Sequence, residues 1–391
     1  MKSSEHRILT THAGSLPRPQ HLRDLLKAQA DGDAVDTKAL DQAIDAATEA
    51  VVGKQLDVGL DVINDGEQGR ESFFTYVQHR MSGFGGKSER VVMRDLSHFA
   101  EYGERLQRQR TDDRRINLLA APRAQSAVSY TAAGRAAIAA EVDRFSSVLA
   151  RRDGAGPADT FLTSPSPGII AAAMHNDHYD SLTDYIDALA RALETEYRAI
   201  ADAGFLLQVD APDLALERHT LFQDQPLSVF LEFCHAVIDA MNRALAAIPR
   251  EQIRLHVCWG NYSGPHIFDV PLADIWPEIA RTRAGALLLS MANPRHAHEY
   301  HHFAGTPLPD GMVILAGVID TTTNYVEHPE TVADRILHIA EAVGDPTRVL
   351  AGTDCGFETS AGMAAVASDV VWTKLEALAE GAALASQRLF R

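Results

Sequence analysis

Phe205-Leu206-Leu207-Gln208-Val209-Asp210, an amphipathic helical pattern over 226–247, and Ile253-Arg254-Leu255-His256-Val257-Cys258 form one repeating unit. Each flanking run is short and largely apolar, and each ends on polar or reactive residues. That is the look of a buried strand opening into a loop. A helix-length segment between two such strands points to parallel pairing with a crossover helix.

The same alternation extends both ways. Downstream lie Gly285-Ala286-Leu287-Leu288-Leu289-Ser290, the run from Met312 to Asp320, a helical pattern over 330–343, and the run from Arg348 to Asp354. Upstream lie Thr160-Phe161-Leu162-Thr163 with a helix over 181–203, Asp61-Val62-Ile63 behind a helix over 37–60, and Ile8-Leu9-Thr10 before a Gly/Pro loop. Eight strands then alternate with helices, so the expected fold is α/β, a parallel (β/α)8 barrel of the TIM type. A doubly wound open sheet is the alternative, but no G-x-G-x-x-G follows an early strand.

The stretch from about 83 to 130 breaks the rhythm. Gly83-Phe84-Gly85-Gly86 begins a polar, Arg-rich segment, and Ile116–Ala121 and Ala127–Tyr130 flank Pro122 like a hairpin. We read 83–130 as a hairpin and loop insertion near the pocket mouth, with 86–115 the best candidate for a mobile loop. Helical pattern is expected near Ser72 and again at about 131–152, within one barrel domain spanning 1–391.

Hydrophobic residues make up 46% and charged residues 23%, enough apolar content for a sizeable core. The formal net charge of -17 repels nucleic acid and anionic membranes, so neither is an expected partner. The N-terminus has no apolar signal core, and no stretch approaches the ~18 apolar residues of a membrane span. A cytoplasmic setting follows as the expectation, with self-association into a homo-oligomer left open. The three cysteines, at 234, 258 and 355, make no disulfide framework. Cys234 lies in an amphipathic helical pattern and reads as core filling.

Alternate strand residues share a face, so His256 and Cys258 project together at the end of their strand. An imidazole beside a thiolate is half of a zinc site. Cys355 stands in the equivalent place after the 349–354 run. Three protein ligands leave one position open, as in catalytic zinc sites; two unrelated buried cysteines and a core histidine are the other reading. In a parallel barrel the chemistry sits at the C-terminal strand ends. Gathered there are Ser15, Asp65, Glu67, Ser164, Ser166, Asp210, Ser290, Asn293, Asp320 and Asp354, which favours a catalytic pocket over a binding module. The tract His296, His298, His301 and His302 is either a second metal site or an exposed loop in which Arg295 and Glu299 pair. His328 before Pro329 marks a helix start, and Trp259 and Tyr262 either wall the pocket or pack the core.

Eight segments carry a resemblance. They are Thr11-His12-Ala13-Gly14-Ser15-Leu16-Pro17-Arg18-Pro19, Asn64-Asp65-Gly66-Glu67-Gln68, Ser164-Pro165-Ser166-Pro167-Gly168, Leu207-Gln208-Val209-Asp210, His256-Val257-Cys258-Trp259-Gly260, Asn293-Pro294-Arg295-His296, Gly317-Val318-Ile319-Asp320 and Gly352-Thr353-Asp354-Cys355-Gly356. In this order, from residue 8 to about 357, the chain resembles the catalytic barrel of cobalamin-independent methionine synthase and its single-barrel relatives, among them epoxyalkane:coenzyme M transferase. The resemblance implies a zinc enzyme that activates a small substrate thiol for methyl or alkyl transfer. It implies His256, Cys258 and Cys355 as zinc ligands and Ser15, Glu67 and Asp210 in the substrate pocket. Glu67 and Asp210 are the expected catalytic groups, and Asn261, just past the metal pair, is a further expected substrate contact.

Three positions depart from the family pattern. Ser290 stands where a Glu often joins the zinc, Ala211 where a second acid often follows Asp210, and Thr322 where methionine synthase carries a proton-transferring His. Zinc with two thiolates and a neutral imidazole is a neutral centre; a Glu would make it negative. A neutral centre holds a thiolate tightly, makes it less nucleophilic, and acidifies bound water more strongly. A zinc-dependent lyase or hydrolase is therefore the alternative expectation.

Overall fold

In the computed structural model, which describes residues 1–109, 121–152 and 156–390, nine strands are present. They are β1 (Val62–Ile63), β2 (Met81–Gly85), β3 (Arg123–Tyr130), β4 (Asp159–Pro165), β5 (Leu206–Asp210), β6 (Ile253–Val257), β7 (Ala286–Ser290), β8 (Val313–Ile319) and β9 (Val349–Thr353). Seven form one parallel sheet in the order β1-β4-β5-β6-β7-β8-β9. Every residue of β5, β6, β7 and β9 is buried, as strands covered on both faces must be.

The two faces of these strands differ. Leu207, Val209, Leu255, Val257, Leu287 and Leu289 join the large core beneath the flanking helices. Leu206, Ala286, Leu288, Leu315 and Leu350 join a small cluster with Phe161 on the opposite, inner face. Asp210, Arg254, His256 and Ser290 alternate onto that inner face. Below the level of the site, Arg254 lies over the Phe161 ring at 3.9 Å and donates to Thr11 Oγ1 and the His12 carbonyl at 3.2 and 3.0 Å.

The expected eight-stranded closed barrel needs correction. The sheet has seven strands and is an open arc, because residues 8–10 do not form a regular strand. Leu9 N–H donates to Ser4 Oγ and Thr10 N–H to the Asp61 carboxylate, so two ladder donors are diverted to side chains. What remains is a single parallel bridge, Thr10 to Ala351. The segment still bonds both edges: Thr11 N–H reaches Ala351 O at 2.8 Å, and Val62 N–H reaches Thr10 O at 2.9 Å.

The expected helices appear as Thr37–Asp57, Ala132–Ala150, Leu182–Asp202, Leu227–Ala244 and Pro329–Val343. Asp36, Thr131, Ser181 and His328 cap four of them through side-chain acceptors, so His328 does mark a helix start. Near Ser72 the chain mostly turns, with a short helix only at Val77–Arg80. Cys234 is buried in the core, as expected.

The insertion is paired differently from the expectation. β3 lies antiparallel to β2, not to 116–121 across Pro122; all but Ala121 of that run lies outside the described residues. The pairing shifts register between Ser82 and Phe84. There Gly83, at φ +101°, brings its Cα so close that a Cβ would meet Ala127 O and Ser126 O at 2.8 Å. The described part of 86–115 carries two helices, Arg94–His98 and Ala100–Gln109. It is tied down by Arg94 to the Gln223 carbonyl and by an Arg90–Glu217 ion pair.

Candidate active site

The site is built where the inward face of the strands reaches its C-terminal rim. His256 is paired in register with Asp210 on the neighbouring strand, and Cys258 follows one residue beyond β6. Cys355 follows β9 by two residues. His256, Cys258 and Cys355 are all buried, and one ligand atom from each lies within 4.8 Å of the others.

The geometry suits a metal. His256 Nδ1 lies 2.9 Å from Asp210 Oδ1. Nδ1 donating to that carboxylate leaves the lone pair on Nε2, which is buried without a hydrogen-bond partner. The two sulfurs are 4.0 Å apart. Two sulfurs about 2.3 Å from a tetrahedral zinc would be ~3.8 Å apart. Burial pulls the His256 pKa down, but Asp210 and Cys258 outweigh it and raise it to about 10. A hydrogen bond from Cys355, with His256 beside it, holds the Cys258 thiol well below its usual range, while that same contact and burial push Cys355 up.

The other expected residues surround this centre. A cavity of about 840 Å³ is lined by Ser15, Glu67, Asp210, His256, Cys258, Asn261 and Cys355. Glu67 sits at φ +56° after Gly66, in a turn held by Asn64 and Asp65, whose side chains accept the Gly66 and Glu67 N–H groups. Thr163 Oγ1 donates to Glu67 Oε1 at 2.9 Å and accepts from Arg70 at 2.8 Å. Glu67 Oε2 is buried without a partner. Burial and the Asp210 charge raise the Glu67 pKa to about 7. Ser15 is packed so tightly on the Gly356 backbone that a Cβ there would meet its Oγ at 2.0 Å. Asn261 spends its amide on other loops, donating to Gly356 O and accepting from Thr321, so it braces the rim.

Several rim residues turn out to be structural. Ser166 caps the helix Pro167–Ala173 and Ser164 bonds Glu196. Asp354 accepts the N–H groups of Met291, Ala292 and Asn293, Ser290 Oγ donates to Asp354 O, and Asp320 accepts from Thr322 and Thr323. Trp259 is core: it stacks on His296 at 4.0 Å and donates to Val270 O. Tyr262 lines the cavity.

The histidine tract divides. His298 and His301 are exposed, and Arg295 bonds the His266 carbonyl rather than Glu299. His296 is buried against Asp269. Sequence reasoning missed Asp269, His266 and His219, which join it. It also missed that Val91, Val92, Met93, Leu96 and Leu106 give the main cavity an apolar wall.

The profile of the cobalamin-independent synthase catalytic domain matches residues 8–371. The chain belongs to the cobalamin-independent synthase family. Among curated relatives, methionine synthase of Sulfolobus acidocaldarius is 25% identical over 367 residues, covering 91% of this chain and 88% of that protein. Methionine synthase of Saccharolobus solfataricus is 24% identical over 385 residues, covering 98% and 96%. Among solved structures, a B12-independent methionine synthase from Shewanella sp. W3-18-1 in complex with selenomethionine superposes with a TM-score of 0.71 at 20% identity, covering 98% of this chain and 99% of the other. The structure named as a putative vitamin-B12 independent methionine synthase from Listeria monocytogenes superposes with a TM-score of 0.63 at 17% identity, covering 98% of both chains. Among the described residues, no helix is long and apolar enough to cross a membrane.

Proposed function

We propose that the protein is a zinc-dependent methyl- or alkyltransferase acting on a small thiol. The observation that carries the reading is the trio His256, Cys258 and Cys355, converging beside the unpartnered Glu67 Oε2 in one cavity. The names of the curated relatives support the reaction class. The reading takes the chain as a single domain whose open parallel arc is bridged by Leu9–Thr11. It also assumes a reducing, cytoplasmic setting in which Cys258 and Cys355 stay thiols.

His256, Cys258 and Cys355 hold the zinc, which when bound supplies a Lewis acid that lowers the pKa of an entering thiol. Asp210 fixes the His256 tautomer and so keeps Nε2 aimed at the site. Glu67 Oε2, raised to about 7, takes a proton from the substrate or accepts a hydrogen bond from its polar end. Ser15 closes the polar end of the pocket, and Asn261 holds its rim. The apolar wall from 91–106 excludes water and leaves room for the alkyl donor.

A lyase or hydrolase is the second reading. It is favoured by a side cavity of about 410 Å³, lined by Ser290, Asn293, Asp320 and Asp354, that reaches Cys355 where a family Glu would stand. Cobalt-substituted protein titrated with homocysteine, coenzyme M and other small thiols separates the two. Alkyl transfer predicts a new sulfur-to-cobalt charge-transfer band that saturates with one thiol. A spectrum indifferent to every thiol would overturn the leading reading.

A further inference from the structure

We infer a second metal site, formed by Asp269, His266 and His296, with His219 packed against the far oxygen of the carboxylate. It lies behind Trp259, whose ring stacks on His296, and outside the thiolate centre. His266 Nδ1 and His296 Nε2 converge on Asp269 Oδ2 at 2.8 and 2.7 Å. With Asp269 they form a group of ligand atoms within 4.8 Å of one another. His219 Nδ1 approaches the other carboxylate oxygen at 2.9 Å. All four residues are buried.

Hydrogen bonding alone does not account for this arrangement. His219 Nδ1 is close to Asp269 Oδ1 but off the hydrogen-bond axis. Neither ring nitrogen of His219, nor Asp269 Oδ1, nor His296 Nδ1, has a hydrogen-bond partner. His266 Nε2 already faces the Tyr262 carbonyl at 3.0 Å, so pairing its Nδ1 with Asp269 as well requires a buried imidazolium. His296 stands likewise between Asp269 and Glu299, 3.6 Å from the latter. One carboxylate would face three imidazoles.

A divalent cation answers the demands of His266, His296 and Asp269. His266 and His296 each turn a lone pair toward the ion. The outer nitrogens of His266 and His296 then keep their protons for the Tyr262 carbonyl and the Glu299 carboxylate, the outer-shell pattern of metal-bound histidine. A nitrogen-rich set with one carboxylate suits zinc and its close neighbours. Three protein ligands, His266, Asp269 and His296, are within reach of one ion, while His219 stands against the far carboxylate oxygen. The cluster joins the turn at His219, the loop carrying Tyr262 to Asp269, and the loop at His296. The first two of these contribute Thr220 and Tyr262 to the main cavity wall.

The test is metal stoichiometry on the full chain, loaded with zinc or cobalt and freed of excess by gel filtration. Wild type should retain two equivalents, the Cys258→Ser/Cys355→Ser variant one, and His266→Ala one. In a cobalt titration of unmodified protein, the sulfur charge-transfer band should saturate at one equivalent. A second equivalent should then add only weak visible bands. One equivalent in wild type, with none in the double cysteine variant, overturns the inference even if His266→Ala fails to fold. One equivalent in wild type that survives in the cysteine variant and vanishes in His266→Ala would uphold this site and remove the thiolate centre instead.

Discussion

At the scale of single residues, the centre sets two carboxylates in different surroundings. Asp210 is engaged by Gln208 and His256, whereas Glu67 keeps one oxygen unpartnered in a buried pocket. An acid whose pKa rises on folding favours its protonated form in the native state. Ionising it costs stability as pH climbs from its ordinary value of 4.5 to about 7. For Glu67 the cost is on the order of 3 kcal/mol once that window is passed. Asp65 and Asp213, raised by burial to about 6 and about 7, act in the same direction. Metal-free protein should therefore lose stability between about pH 4.5 and 7, and Glu67→Gln should remove its own share. Urea midpoints across that range are the check; parallel curves for the two proteins would mean that Glu67 is ionised without penalty. The convergence of His256, Cys258 and Cys355 was legible because strand periodicity and a following loop placed them without tertiary knowledge. Asp269 and His219 were not, because no local pattern links residues fifty positions apart that meet only through folded loops.

At the scale of elements, the sheet register decides what Ser290 can do. Val257 pairs with Leu289, so the next step places Ser290 level with Cys258. Ser290 lines the side cavity together with Cys355. Ser290→Glu should therefore bring a carboxylate to the metal, raise zinc affinity in the absence of thiol, and depress any activity that uses metal-bound water. A thiol-alkylating activity should suffer less, since a displaceable carboxylate leaves a more electron-rich metal. Chelator competition on the two proteins checks the first point, and equal affinities would show that the new side chain does not reach the zinc. The parallel strands carrying this register were readable as continuous apolar runs. The partner of β3 was not, since antiparallel pairing across a long insertion leaves no spacing signal. The helices at 94–98 and 100–109 were hidden by their polar composition.

At the scale of the whole molecule, the parallel α/β class was legible from the alternation of runs, but closure was not. Whether 8–10 pairs as a strand depends on Ser4 and Asp61 taking its N–H groups, which a linear pattern does not reveal. The molecule is left with an open arc bridged by Leu9–Thr11. The proposed metal ligands span this arc: β6 and β9 are three places apart in the sheet, and Cys258 and Cys355 are 97 residues apart in sequence. Zinc bound there ties two distant parts of the rim in the native state, and the unfolded chain has no comparable site. At a free concentration of about 1,000 times the dissociation constant, binding contributes ~4 kcal/mol of stability. Extrapolating to a chain of this size, each kcal/mol moves the melting temperature by about 1–2 °C, so zinc loading should raise it by about 4–8 °C. Cys355→Ser should lose this centre's share of the rise and keep only what the Asp269 site adds, while its chelated form melts close to metal-free wild type, because the serine fits the same buried space. Thermal scans with zinc and with chelator on both proteins make the comparison. A zinc-dependent rise equal in wild type and Cys355→Ser would mean that the stabilising metal is not held across the rim.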